Sequence, residues 1–213
     1  MSNFGRFVTL EGIEGVGKTT QLARLSGLLK ERGIEHVLTR EPGGTPLAEC
    51  IRDLVLGARE ETLPPTAELL LMFAARAVHL NNLVEPRLRA GQWVVCDRFT
   101  DATYAYQGGG RRLPEQSIRE LQAMVQGTLR PDLTILLDAP VAVALARAAA
   151  RNAGSTQDRF ESERSEFFER VRSVYRARAA AEPGRIAVVD ATLPMDEVSA
   201  RVRALLKERS WIS

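Results

Sequence analysis

Phe7-Val8-Thr9-Leu10-Glu11-Gly12-Ile13-Glu14-Gly15-Val16-Gly17-Lys18-Thr19-Thr20 is the stretch that decides the fold. A short β-favouring run enters a glycine-rich octet, Gly12 to Thr19, of the form G-x-x-x-x-G-K-[ST]. A helical period then opens, with Leu22, Leu25, Leu28 and Leu29 on one face, and Gly33 ends it. Glycines there let backbone N–H groups converge on phosphate oxygens, and the helix N-terminus adds positive potential. In that role Lys18 bridges the β- and γ-phosphates and the Thr19 hydroxyl ligates Mg²⁺. Chance would produce the octet in a chain of this length on the order of once in a hundred. Gly12, Ile13, Glu14, Gly15, Val16, Gly17, Lys18, Thr19 and Thr20 are therefore the expected contacts of a nucleoside triphosphate.

Working outward, four more apolar runs read as strands: His36 to Arg40, Trp93 to Asp97, Leu133 to Asp138 and Ile186 to Asp190. They are nearly continuous rather than alternating, the pattern of strands covered on both faces. Amphipathic helices lie between them, and one near the C-terminus sets Val198, Val202, Leu205 and Leu206 together. This alternation predicts an α/β fold: a five-stranded parallel sheet with helices on both faces, doubly wound around a phosphate-binding loop. A single kinase domain over residues 1–213 is expected, with no internal repeat and no linker. The polar stretch Asn152 to Gln157 reads as a mobile loop, in a lid spanning about 148–161, and Gly108 to Arg112 as a second such loop.

The chain has 213 residues, 45% of them hydrophobic and 26% charged, with a net charge of +2. That charge is too small to argue for nucleic acid or an anionic membrane surface. Cys50 and Cys96 are too few for a disulfide framework, and Cys96, inside an apolar run, reads as a buried thiol. No apolar run approaches the roughly 20 residues of a membrane span. Met1 to Phe7 lacks a leader-like stretch, so a cytoplasmic protein is expected. His36 and His79 show no metal-ligand spacing and read as structural.

Ligands of open α/β sheets sit beyond the carboxyl ends of the strands. Glu11, Arg40, Asp97 and Asp138 stand there. Asp97 can orient Mg²⁺ or its water, and the adjacent Arg98 can hold an anionic acceptor; a helix-capping acid beside a surface arginine would look the same. On the helix from Glu68 to Leu80, Ala67, Leu70, Leu71, Ala74 and Val78 make one face, while Leu69, Met72, Phe73 and Arg76 make the other. Both are apolar, so a ligand, a partner subunit or both are expected to cover the second, though a core helix buried on both sides would look the same. Met72 and Arg76, one turn apart, can meet one flat molecule. Arg147, Arg151 and Arg159 surround the polar loop, where arginines can neutralise charge on a transferring phosphoryl group.

Taken together these segments resemble thymidylate kinase in its bacterial form. The blocks are Thr39-Arg40-Glu41-Pro42-Gly43-Gly44-Thr45, Phe73-Ala74-Ala75-Arg76, Asp97-Arg98-Phe99, Ala105-Tyr106-Gln107-Gly108-Gly109, Arg130-Pro131-Asp132, Asp158-Arg159-Phe160-Glu161 and Asp190-Ala191-Thr192. The resemblance implies transfer of the ATP γ-phosphoryl group to dTMP, giving dTDP for dTTP synthesis, with Mg²⁺ held by Thr19 and Asp97. It implies that Glu14 and Arg98 place the acceptor phosphate and sugar, and that Arg52 lies near the monophosphate. Glu41, Pro42, Met72 and Phe73 would line the acceptor pocket. Arg76, Thr103, Tyr106 and Gln107 would read base and deoxyribose, with Tyr106 disfavouring a 2′-hydroxyl. Ile13, Glu14 and Val16 bring no basic residue into the phosphate loop, so the lid arginines Arg151 and Arg159 would supply that charge. A homodimer through helices flanking the site is implied as well.

Two features depart from the family pattern: Met72 stands where a base-stacking Phe is usual, and the lid stretch is longer and more polar. Two other functions remain open on the residues alone, namely a kinase for a different small acceptor and a nucleotide-dependent switch. The chain has no guanine-reading Asn-Lys-x-Asp segment. Arg52 and Arg98 argue for an acceptor that already carries phosphate.

Overall fold

The structure, a computed structural model, describes residues 4–57, 60–151 and 163–212. Strand β1 (Phe7–Glu11) leads through the glycine loop into α1 (Lys18–Glu31), followed by β2 (His36–Arg40), α2 (Pro46–Leu56) and α3 (Pro65–His79). After α4 (Glu85–Arg89) come β3 (Trp93–Asp97), α5 (Thr100–Thr103), a π-helical segment Tyr104–Gly110 and α6 (Glu115–Gln126). The chain continues through β4 (Leu133–Asp138), α7 (Val141–Arg151), α8 (Ser165–Ala181), β5 (Ile186–Asp190) and α9 (Met195–Glu208). All five strands run parallel in the order β2-β3-β1-β4-β5.

The strand bounds are those read from the sequence, because continuous apolar runs between glycines and charges leave little choice of limits. Successive residues feed opposite faces. Val8, Leu10, Val95, Ile135 and Leu137 pack with Leu25, Leu29, Phe168, Val198 and Val202 from α1, α8 and α9. Phe7, Val94 and Cys96 pack on the other side with Leu80, Val84, Leu88 and Phe99. The expectation of strands covered on both faces holds for the three central ones only. Edge strands β2 and β5 leave Leu38 and Val188 about half exposed, since an edge strand has a neighbour on one side alone. Among the described residues no helix is long and apolar enough to cross a membrane. Cys96 is a buried free thiol, as expected, and Cys50 is exposed.

Two readings need correction. On α3 the inward face is the one carrying Leu69, Met72, Phe73 and Arg76, packed against the protein's own interior, while Leu70 and Ala74 stand outside. Periodicity shows two apolar faces without saying which is in. The buried Glu68 and Arg76 mark it, because they need internal partners.

The second correction concerns Gly108 to Arg112, which is not a lid loop. Residues Tyr104–Gly110 continue α5 as a π-helix packed along α8. Arg170 donates to the carbonyls of Gly109 and Gly110. A Cβ on Gly110 would lie 2.4 Å from the Phe167 ring, so these glycines serve close approach of two backbones. Gly110→Ala is therefore expected to lower stability by about 1–3 kcal/mol, read as a drop in denaturant midpoint; an unchanged midpoint would contradict the tight packing.

Candidate active site

A cleft of about 990 Å³ opens across the carboxyl ends of β1, β2 and β3. Its position follows from strand order. Because β1 pairs with β3, with Leu10 opposite Asp97, the loop that follows β1 must face the turn that follows β3. The glycine loop forms its centre, from Glu14 through Thr20. Gly15 requires glycine twice over: its φ is 80°, and a Cβ there would lie 1.8 Å from the Ala144 carbonyl oxygen. Gly17, at φ 93°, caps α1, so the first turn of that helix points its N–H groups at the cleft. Ile13, by contrast, belongs to the core, and the carbonyls of Gly12 and Ile13 accept hydrogen bonds from Lys18 Nζ at 3.0 Å each.

Lys18 is buried, and burial together with the nearby Arg98 charge pulls its ammonium down to a pKa of about 8. Arg98 leaves β3 with φ 66°, a conformation costing about 1–3 kcal/mol for a non-glycine residue. It is held there by its own N–H to the Leu10 carbonyl and by Nη2 bonds to Glu14 (2.5 Å) and to the Tyr106 hydroxyl (2.9 Å). Tyr106 in turn donates to Glu14 at 2.7 Å and lies beneath the guanidinium at 5.0 Å. Burial pushes the Glu14 carboxyl upward, but Arg98 and Lys18 outweigh it and hold the group below the usual carboxylate range. Burial likewise opposes the Arg98 charge, and Glu14 overcomes it. The outcome is a fixed cation beside the phosphate loop. Asp97 and Arg40 also line the cleft; Arg40 is paired with Glu49, whereas Asp97 Oδ1 is buried with no hydrogen-bond partner among the described residues.

The other two strand-end acids lie elsewhere. Asp138 is gripped by Nε and Nη2 of Arg172 at 2.7 and 2.9 Å. Glu11 sits beneath the cleft, accepting from the Phe99 N–H and the Tyr175 hydroxyl, both at 2.7 Å. Burial and the Asp101 charge push its pKa up to about 8, against the opposing pull of Tyr175 and Arg98. A carboxyl raised in the folded state binds a proton that the unfolded chain has lost, so its contribution to stability fades as pH rises from near 4.5 to near 8. Glu11→Gln, which mimics the protonated form, should flatten the fall in Tm between pH 5.5 and pH 8. An equally steep fall in the variant would show that Glu11 is ionised throughout.

On the far side from α9, Met72, Arg52, Pro42, Tyr106 and Gln107 line the acceptor end. Arg52 donates to the Pro42 carbonyl at 2.8 Å, which ties α2 to the loop after β2. Arg76 is fully buried between the Phe73 and Phe99 rings, at 4.8 and 5.1 Å. Its Nε donates to Glu41 and its Nη2 to Thr103, at 2.7 and 2.9 Å, while Nη1 has no partner among the described residues. Gln107 donates from Nε2 to Glu68, and its Oε1 is likewise buried without a partner.

The predicted acceptor residues thus divide in two. Met72, Tyr106, Gln107, Arg52, Arg98, Glu41 and Pro42 line the cleft, whereas Arg76 lies buried behind that lining. Thr103 is fully buried and serves Arg76, and Phe73 belongs to a core cluster with Leu69, Tyr104 and Ile118. On the same inward face as Met72, Phe73 is turned away from the cleft toward Leu69 and Tyr104, since a helix turns 100° per residue. His79 bonds Glu41 and Thr39, and His36 bonds Ser26, structural roles as expected. Arg151 ends α7 with a side chain outside the described residues, and Arg159 lies outside them altogether.

Sequence reasoning missed the wall opposite the acceptor end. Gln21, Arg147 and Ala191 to Met195 line it, and Arg147 donates to the Ala191 carbonyl at 2.6 Å rather than hanging in a lid. Only the position of Ala191 and Thr192 just beyond β5 hinted at this. Glu68 was missed too, though an acid four residues before Met72 and eight before Arg76 shares their helical face.

The comparisons with known proteins agree in one direction. The sequence profile described as thymidylate kinase matches residues 10–202. A thymidylate kinase of Chromohalobacter salexigens is 58% identical over 210 residues, covering 97% of this chain and 98% of the relative. One of Teredinibacter turnerae is 54% identical over 203 residues, covering 95% and 98%. The crystal structure of thymidylate kinase from Ehrlichia chaffeensis superposes with a TM-score of 0.76 at 33% identity, over 95% of this chain and 99% of that one. With a profile spanning most of its length and relatives more than half identical end to end, the chain belongs to the thymidylate kinase family.

Proposed function

We infer that the two ends of the cleft hold the two nucleotides of one reaction, ATP over the glycine loop and dTMP against α3, with the γ-phosphoryl group passing between them to give ADP and dTDP. The observation that carries the acceptor assignment is the pair of unsatisfied groups on the acceptor side. Arg76 Nη1 is a buried donor and Gln107 Oε1 a buried acceptor, each without a partner among the described residues. A thymine ring offers an acceptor at O4 and a donor at N3–H, which complete both. Cytosine offers the inverse, a donor at N4 and an acceptor at N3, and would leave both unsatisfied.

Phosphoryl transfer asks the protein for alignment and charge neutralisation more than for covalent chemistry. The α1 N-terminus and Lys18 take the donor phosphates. Arg98 and Arg52 take the acceptor phosphate, and Glu14, ionised and bonded to both Arg98 and Tyr106, holds that arginine in line. The Tyr106 ring lies against the deoxyribose. Mg²⁺ fits the donor end, since the Thr19 hydroxyl and the unpartnered Asp97 oxygen are hard oxygen donors on one cleft. Once bound it neutralises charge on the β- and γ-phosphates. In a single kinase domain with a lid over about 148–161, Arg151 and Arg159 are proposed to add positive charge, although the Arg151 side chain and all of Arg159 fall outside the described residues. Leu47, Leu54 and Leu70 stand exposed on the packed pair α2 and α3, which supports a homodimer through that apolar face in a cytoplasmic enzyme.

The test is a coupled ADP-release assay with ATP, Mg²⁺ and a panel of monophosphates. Strong preference for dTMP over dCMP and dAMP is the expected result; equal rates on dTMP and CMP would discard the acceptor assignment.

A further inference from the structure

An amide side chain is ambiguous: half a turn about its last bond exchanges donor and acceptor. Gln107 can therefore favour a ring N3–H only if something fixes that turn. The partner is Glu68, fully buried in the first turn of α3 and two turns before Arg76. Its Oε1 accepts from Gln107 Nε2 at 2.9 Å. A carboxylate has no proton to give, so the amide can satisfy it only with Nε2, and Oε1 must face the other way. Arg111 pairs with the same carboxylate, its Nε 3.3 and 3.2 Å from the two Glu68 oxygens. The backbone under Gln107 is fixed independently by the packing of Tyr104–Gly110 against α8. Turning the amide over would set its carbonyl against a buried carboxylate, acceptor facing acceptor.

We propose that Glu68 is a specificity-positioning residue: without touching the nucleotide, it holds the Gln107 carbonyl toward the base and so sets the preference for a ring carrying N3–H over cytosine. The inference rests on reading the cleft as the dTMP site.

Glu68→Gln tests it, because the new amide can donate to Gln107 Oε1 as readily as it can accept from Nε2, which frees Gln107 to turn. The ratio of kcat/KM for dTMP to that for dCMP is expected to fall about tenfold or more, through a lower KM for dCMP and a higher one for dTMP, with the KM for ATP unchanged. Glu68→Ala, which removes the acceptor without supplying a donor, should move the ratio the same way. Adding Gln107→Glu to Glu68→Gln restores an acceptor-only group beside the base and should recover the preference for dTMP. Equal losses on both acceptors, with the ratio unmoved, would make Glu68 merely structural and overturn the proposal.

A measurement on the wild-type protein stands apart from how the variants fold. In ¹⁵N-glutamine-labelled protein the Gln107 side-chain NH₂ should exchange slowly with water, and fast exchange would also overturn the proposal. Failure of the wild-type protein to turn over dTMP would instead defeat the reading of the cleft, a distinguishable outcome.

Discussion

Arg98→Ala will lower kcat/KM for dTMP by about 10³-fold or more while leaving the fold in place. The reasoning begins with geometry. Arg98 is the residue at which β3 gives way to the cleft, and it keeps a left-handed backbone there at φ 66°. Strain of that kind persists only where surrounding contacts over-determine it, and the Leu10 carbonyl, Glu14, Tyr106 and the Tyr106 ring do so. Among the described residues only Nη2 of its side chain is engaged, which leaves Nη1 and Nε for a ligand. A guanidinium so fixed can hold an acceptor phosphate in line with the donor at no reorganisation cost when charge develops. Deleting it leaves Glu14 with Lys18 and Tyr106 as neighbours, so no buried carboxylate is stranded and the Tm should fall only modestly. Arg98→Lys should recover little, since an ammonium cannot reproduce the fork. Steady-state kinetics decide the matter: turnover within tenfold of wild type would remove Arg98 from the mechanism.

Lys18→Met carries the second large effect, and its signature is a split between activity and stability. Activity should fall by about 10²–10³-fold, because the β- and γ-phosphates lose their one point charge in the loop. Stability of the free protein should not fall with it. Burial and Arg98 lower the Lys18 pKa to about 8, so at neutral pH the folded protein carries this ammonium at a cost that the unfolded chain escapes. The sign follows directly: a lysine depressed by folding destabilises fully below its folded pKa, and the penalty is relieved as pH rises from about 8 toward 10.5. Methionine removes it. The variant's Tm without nucleotide should therefore equal or exceed that of the wild type at pH 7, with the shift on adding ATP lost. A variant several degrees less stable would show that the two carbonyl contacts of Lys18 outweigh the buried charge.

How much of this was legible beforehand differs between elements. All five strands were, since their apolar runs lie between unambiguous breaks, and the phosphate loop was, since its octet is constrained by chemistry. The pairing of β1 with β3 was not legible; the family resemblance implied only that Glu14 and Arg98, 84 positions apart, act together on the acceptor. Local pattern carries no information about which strands become neighbours. The same limit explains the reversed reading of α3 and the glycines at 108–110. Periodicity reports that a face is apolar, and glycine reports that a side chain is unwelcome. Neither says whether the neighbour is solvent, a ligand or another helix, and here Phe167 and Val174 of α8 were the neighbours. Thr103 and Phe73 were assigned to the ligand through the family resemblance alone. Their contacts place them behind it, as the hydroxyl that takes Nη2 and the ring beneath the guanidinium.

Whether both phosphates meet in this one cleft is best settled by a crystal structure with dTMP, Mg²⁺ and a non-hydrolysable ATP analogue bound together. The acceptor phosphate should lie against Arg98 with one oxygen roughly 3–3.5 Å from the γ-phosphorus, the thymine edge meeting Arg76 Nη1 and Gln107 Oε1. A dTMP seated on another surface, or a phosphate too far from the analogue's terminal group for direct transfer, would contradict it.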